Sequence, residues 1–136
     1  MKNEVVITAA DFQRLKDLIR TARCVWPYGA YVNALERELR RARIVPPDHV
    51  PEDAVTMNSR VRLRDRDIDE RAIYTVVYPH HADEDEDKLS VLSPLATAIL
   101  GNRVGDVVRC PVPSGTRTVK IERIFYQPEA AGDYHL

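Results

Sequence analysis

The chain has little cysteine and no long apolar run, and both shortages restrict the class of protein that it can be. Its two cysteines, Cys24 and Cys110, form no Cys-x-x-Cys pair, so a redox or zinc site of that kind is excluded and free thiols are expected. No apolar run approaches the roughly 18 residues that a membrane helix needs. Residues 1–7 are too short and too acidic for a secretory signal, so we expect a cytoplasmic protein without a membrane partner.

The usual signatures of an enzyme are missing as well. The sequence has no glycine-rich phosphate loop, no metalloenzyme spacing and no pattern that supports nucleophilic catalysis. His80 and His81 precede a run of acidic residues at 83–87, but adjacent residues of one loop rarely converge on a single ion. We therefore predict no metal, no cofactor and no catalytic residue.

The composition is that of an ordinary globular protein, but the charge is distributed unevenly along the chain. Hydrophobic residues make up 44% and charged residues 30% of the 136 positions. Residues 1–47 carry nine Lys/Arg and five Asp/Glu, whereas residues 48–136 carry eleven and sixteen. This polarity suggests two surfaces with different partners. The acidic excess of the second part argues against a nonspecific nucleic-acid binder, which stays open as an alternative.

The first third of the chain predicts a short antiparallel helical hairpin. Thr8 is a suitable cap for a helix, and apolar residues then recur every three or four positions, as in a coiled coil. The first seam is Phe12, Leu15, Ile19 and Ala22, and the second is Tyr28, Val32, Leu35, Leu39 and Ala42. The prolines at 46 and 47 end the second helix, so we assign residues 1–47 to the hairpin.

From residue 48 onward the pattern is that of strands and turns. The predicted strands are 60–64, 73–78, 89–92, 107–110 and 118–126, with a turn at 113–115 before the last one. Ser93 is placed to cap a helix over Pro94–Leu100, which Gly101 ends. Residues 48–136 are therefore predicted to form an α+β domain, a small antiparallel sheet crossed by one helix.

Three segments of this second part resemble the Rnk proteins of the Gre-factor superfamily. Residues 55–61 (VTMNSRV) are similar to the strand that opens the globular domain of that family. Residues 93–101 (SPLATAILG), followed by 104–106 (VGD), resemble the core motif that Rnk shares with Gre factors; Ala96 stands where the family often has glycine. Residues 126–134 (YQPEAAGDY) resemble the Rnk tail. The resemblance implies an FKBP-like domain preceded by a helical hairpin.

The resemblance also implies a partner, RNA polymerase, bound at the rim of its secondary channel. In Gre factors the contact surrounds a Ser-Pro motif, which Ser93 and Pro94 match, while the acidic residue that precedes it there is Leu92 here. From the sequence alone a plain helix start is the simpler explanation of Ser93 and Pro94, and the motif can serve both purposes. The family name implies a link to nucleoside diphosphate kinase levels, which we interpret as indirect, through transcription.

Gre factors stimulate transcript cleavage with acidic residues at the hairpin tip that help to hold a catalytic Mg²⁺. The predicted tip, residues 21–29, contains no carboxylate, and a hard cation requires oxygen ligands. A helix of about fifteen residues reaches only about 22 Å, less than a Gre coil. We therefore predict competition with Gre factors without cleavage. Arg23, Trp26 and Tyr28 are the candidate tip contacts, although the two aromatics could simply close the end of the hairpin.

Two further interpretations stay open. A peptidyl-prolyl isomerase is conceivable on an FKBP-like fold, but fold alone does not carry function. Its aromatic pocket would have to come from Tyr74, Tyr78 and Tyr126, which core packing explains more simply.

A second helix rich in arginine could face solvent or an acidic surface of the polymerase. Its basic residues are Arg37, Arg40, Arg41 and Arg43. We expect a monomer that reads no specific DNA sequence.

Overall fold

The computed structural model describes residues 5–24, 29–112, 115–134 and 136, which form a mixed α+β fold. The helices are Ala9–Ala22 (α1), Gly29–Arg40 (α2), Pro94–Ile99 (α3) and Pro128–Ala131 (α4). The strands are Val5–Thr8 (β1), Ala42–Val45 (β2), Arg60–Asp65 (β3), Glu70–Val77 (β4), Lys88–Ser90 (β5), Val107–Val112 (β6) and Gly115–Tyr126 (β7). Each strand predicted from the sequence is therefore present, with shifted ends.

The larger sheet has five strands in the order β5-β4-β3-β7-β6. The pairs that involve β3, and the β6–β7 pair, are antiparallel as predicted. The prediction of a wholly antiparallel sheet is wrong for β4 and β5, which run parallel. The acidic connection between them, residues 78–87, contains two short 3-10 turns. It returns the chain along the sheet, so that β5 can run beside β4 in the same direction.

A second, two-stranded sheet closes the base of the hairpin. Strand β1 pairs with β2 in parallel, with Val5 opposite Ala42 and Thr8 opposite Val45. The prediction that the second helical seam includes Ala42 is wrong, because α2 ends at Arg40. The β-branched Ile44 and Val45 favour an extended chain, and β1 supplies the partner that they need.

The two helices pack as the seams predict. The Oγ1 atom of Thr8 accepts a hydrogen bond from the Asp11 amide at 3.2 Å, which confirms the predicted cap. The buried seam residues are Leu15, Ile19 and Ala22 of α1, with Val32, Leu35 and Leu39 of α2. All of them belong to the same apolar cluster as Val61 of β3 and Ile99 of α3. The hairpin base is therefore packed directly onto the sheet and α3.

The two cysteines are free thiols, as predicted. Cys24 is exposed, whereas burial raises the pKa of the Cys110 thiol. Within the described ranges, no helix has the length and apolar character needed to cross a membrane.

Candidate docking surface and the junction that supports it

The Ser93-Pro94 turn is held in one conformation by hydrogen bonds on both sides. The Ser93 amide donates to the Ser90 carbonyl at 2.9 Å, and the Ser93 Oγ atom accepts from the Ala96 amide at 3.3 Å. Below the turn, the buried Thr97 hydroxyl donates to the Val91 carbonyl at 2.6 Å. Pro94 takes the first helical position, where its missing amide leaves no bond unmade. The predicted helix start is confirmed.

The three residues of the predicted docking segment differ in exposure. Ser93 and Pro94 are half-buried, so part of each side chain faces outward. Leu92 is only 3% exposed and belongs to the apolar core. Its side chain therefore anchors the turn from below, and of these three residues Ser93 and Pro94 are the ones that present side-chain surface to solvent.

A buried polar junction joins α1 to the end of β4. The Tyr78 hydroxyl donates to the Asp11 Oδ1 atom at 2.7 Å, and Arg14 lies 3.5 Å from the same oxygen. Burial raises the pKa of Asp11, and the charge of Glu129 raises it further. Burial and the neighbouring Asp11 carboxylate also raise the pKa of Tyr78, so its phenol stays protonated and able to donate. This bond fixes the first turn of the hairpin against the sheet.

The C-terminal segment completes the junction. The Thr56 hydroxyl donates to the Glu129 Oε1 atom at 2.6 Å and lies 2.9 Å from the Ser59 hydroxyl. The Gln127 side-chain amide donates to the carbonyls of Pro51 and Ala54, at 2.8 and 2.6 Å. The tail therefore covers residues 51–59 from the outside.

We expect Asp11→Asn to change how stability depends on pH. A carboxyl with a raised folded-state pKa binds its proton more tightly in the folded chain, so its contribution to stability falls as pH rises from the unfolded pKa, near 4, through the folded pKa. Asparagine keeps an acceptor for Tyr78 but does not titrate. Melting temperatures between pH 4 and 8 should show the variant gaining on the wild type as pH rises.

The control for this experiment is Asp17→Asn, on the exposed side of α1, which should follow the wild-type curve. Parallel curves for Asp11→Asn and the wild type would contradict the assignment of Asp11 as a buried, destabilised carboxylate.

The predicted tip residues are only partly described. Trp26 and Tyr28 lie outside the described residues. Arg23 is engaged within the hairpin, because its guanidinium lies 2.6 Å from Glu36 and 3.2 Å from the Asn33 side chain. Arg23 therefore braces α1 against α2.

The prediction that four arginines lie on the second helix is wrong for two of them, because Arg41 follows the end of α2 and Arg43 lies on β2. Arg40 and Arg41 both pair with carboxylates of α2. Arg40 lies 3.0 Å from Glu36, and Arg41 lies 2.9 Å from Glu38. These contacts favour the interpretation of a solvated helix face.

The remaining candidates do not assemble into a site. Within the described ranges no group of His, Cys, Asp and Glu is arranged to hold a metal ion, and His80 and His81 contact each other's rings. The proposed isomerase tyrosines serve separate purposes: Tyr78 bonds to Asp11, Tyr126 bonds to Asp133, and Tyr74 packs on the core. The bond to Asp133 raises the pKa of Tyr126 to about 12.

Sequence reasoning missed the Asp11–Tyr78 and Thr56–Glu129 contacts. The cap at Thr8 accounts for the start of α1 without any further role for Asp11, and the sequence indicates Tyr78 only as an aromatic of the core or of a pocket. The one available signal was the tail motif at 126–134, which contains both Gln127 and Glu129.

Comparison with known families matches nearly the whole chain. Residues 50–126 match the family described as transcription elongation factor GreA/GreB, C-term, and residues 3–45 match the Rnk N-terminus. A relative from Escherichia coli strain K12, the regulator of nucleoside diphosphate kinase, is 44% identical over 105 residues, covering 76% of this chain and 77% of that protein.

GreA and GreB elongation factors are similar to this chain as well. The transcription elongation factor GreA of Clostridium novyi is 39% identical over 90 residues, covering 66% of this chain and 57% of that protein. The solved GreA/GreB elongation factor from Nitrosomonas europaea superimposes with a TM-score of 0.74 at 36% identity, covering 92% of this chain and all of that one. These relatives are named as regulators or elongation factors. With both segments matched in order, the chain belongs to the Rnk group of the GreA/GreB family of transcription factors.

Proposed function

We propose that this transcription regulator docks on RNA polymerase at the rim of the secondary channel through Ser93 and Pro94. The observation that carries the proposal is the rigid, half-exposed turn at these residues in a chain of the GreA/GreB family. A contact surface that is already ordered loses little conformational entropy on binding. Leu92 supports the turn from the core.

We further propose that docking blocks the channel entrance without stimulating transcript cleavage. Helix α1 has 14 residues, which corresponds to about 21 Å. The predicted tip, 21–29, has no carboxylate, and Arg23 is paired with Glu36. The chain thus lacks oxygen ligands for a polymerase-bound Mg²⁺ at the position where Gre factors supply them.

Several finer features belong to the same proposal. Residues 1–47 act as the hairpin and residues 48–136 as an FKBP-like docking domain, in a monomer. The effect on nucleoside diphosphate kinase is indirect, through the transcripts that the polymerase makes. The division into two parts is supported by the family matches, which separate between residues 45 and 50, and the FKBP-like fold and the indirect effect are supported by the resemblance to Rnk proteins.

The test is competition with a Gre factor for purified polymerase. The wild-type chain should reduce Gre-stimulated cleavage in a dose-dependent manner and add none of its own. Pro94→Arg should bind polymerase about tenfold more weakly, because it replaces an anchor at the centre of the contact. Arginine is well tolerated in a helix, so the fold should survive.

Pro111→Arg is the matched control, since Pro111 is an exposed proline on β6 and not part of the Ser93-Pro94 turn. It should compete as well as the wild type. If Pro94→Arg binds polymerase as tightly as the wild type, the proposed docking site is wrong. If the chain alone stimulates cleavage, the proposed mechanism is wrong.

A further inference from the structure

The face of the larger sheet that points away from α3 is strongly basic. Directly opposite residues of neighbouring strands share a face, and β3 places Arg64 opposite both Arg71 and Lys120, and Arg62 opposite Arg123. Like charges in such positions destabilise a sheet. Because these like-charged pairs reduce the stability of the sheet, we infer that the basic side chains are retained to bind a ligand.

Only part of this charge is neutralised. Glu122 accepts hydrogen bonds from both Arg62 and Arg71, at 3.1 and 3.0 Å, and Arg64 lies 2.7 Å from the Asp69 carboxylate. Arg60, Lys120 and Arg123 form no ion pair with any residue in the described ranges. Their charges are therefore available to a ligand.

An exposed aromatic ring lies beside these cations. Phe125 is 42% exposed, and the Arg123 guanidinium lies 4.9 Å from its ring centroid. On the same face a groove of about 610 Å³ runs past Arg60, Arg71 and Ile73 and is bordered on its far side by Glu86, Asp87 and Lys88. A flat basic surface with an accessible aromatic ring fits a phosphate backbone with unstacked bases.

We propose that this basic sheet face, defined by Arg60, Arg62, Arg64, Arg71, Lys120 and Arg123, binds single-stranded RNA. The acidic net charge of residues 48–136 does not oppose this, because many of the carboxylates lie on the connections at 66–69 and 78–87 rather than on the strands. Of these, Asp69 pairs with Arg64, and Glu86 and Asp87 border the groove, which leaves Arg60, Lys120 and Arg123 for the phosphates. An acidic protein segment would satisfy the cations but would leave the stacking surface of Phe125 and Arg123 unused. The site is separate from Ser93 and Pro94 and does not rest on polymerase docking.

The experiment is fluorescence anisotropy with a labelled oligouridine RNA and the full chain. Arg60→Glu and Lys120→Glu should each weaken binding about fivefold or more and reduce the salt slope by about 0.7 per lost phosphate contact. Phe125→Leu should weaken binding about fivefold or more without changing the charge, because it removes the stacking surface. Arg20→Glu, on a side chain of α1 that is 78% exposed, makes the same charge change elsewhere and is the control.

Each outcome decides the proposal. Loss of RNA binding in the three face variants, with the control near wild type, supports it. It is overturned if the wild type binds no RNA at low salt, if Arg20→Glu weakens binding as much, or if polyglutamate binds the face and RNA does not. A polymerase pull-down of the same proteins separates the two proposals, since RNA binding should persist in Pro94→Arg.

Discussion

Replacing Gly101 with alanine should lower the free energy of unfolding by about 3 kcal/mol, by adding a left-handed backbone penalty to a steric clash. Gly101 follows α3 with a φ of +77°, a conformation that alanine adopts poorly. A Cβ atom there would lie 2.2 Å from Val5 Cγ1 and 3.1 Å from Val5 Cα. Because the second contact is with backbone, β1 itself would have to move.

Gly132 provides a control that separates the two contributions. Its φ is +80°, but a Cβ atom there would meet nothing within 4 Å. Gly132→Ala should therefore show only the backbone penalty, about 1–2 kcal/mol. Urea denaturation measures the free energy of unfolding of both variants. Equal decreases would show that Val5 can move away from the added Cβ atom at no cost in stability.

Displacing β1 should also loosen the hairpin base. Hydrogen exchange of the β1 and β2 amides in Gly101→Ala should be faster than in the wild type, while the amides of β3 change less.

Gln127→Ala should lower the free energy of unfolding by a comparable amount, about 3 kcal/mol, because the variant leaves buried carbonyls unsatisfied and removes a helix cap. The buried side chain donates to the carbonyls of Pro51 and Ala54 and accepts from the Ala130 amide at 3.2 Å. Alanine fills none of these roles. The tail after residue 127 should consequently detach and become sensitive to proteases under native conditions.

Gln13→Ala is the matched control for this change. Gln13 is exposed, and among the described residues its side chain bonds to Asp17, one turn along α1, at 3.1 Å, so its loss should shift stability by less than about 0.5 kcal/mol. Native-like protease resistance of the tail in Gln127→Ala would contradict its role as the anchor.

Local signals in the sequence predicted the parts of the fold that depend on neighbours along the chain. The Thr8 and Ser93 caps, and the burial of Leu15 and Leu35, follow from spacings of three or four residues, and the structure confirms them. The β1–β2 pairing depends on residues 37 positions apart, Val5 and Ala42, and Ala42 fits the helical seam equally well. No local pattern distinguishes those two outcomes.

The candidate site shows the same difference between local contacts, which the sequence predicts, and long-range contacts, which it does not. The Ser93-Pro94 turn was predictable because its bonds are local, whereas the burial of Leu92 depends on the core that forms around it. The bond between Asp11 and Tyr78 spans 67 positions. The net charge was misleading as well, because composition does not reveal that the strands carry the cations and the connections carry many of the acids.

The parallel pairing of β1 and β2 makes the length of the hairpin independent of its attachment. Both legs leave from one small sheet, so equal insertions of seven residues in α1 and α2 would preserve the apolar seam and extend each leg by about 10 Å. The same two-stranded sheet can therefore carry hairpins of different length without any change in the larger sheet or in α3.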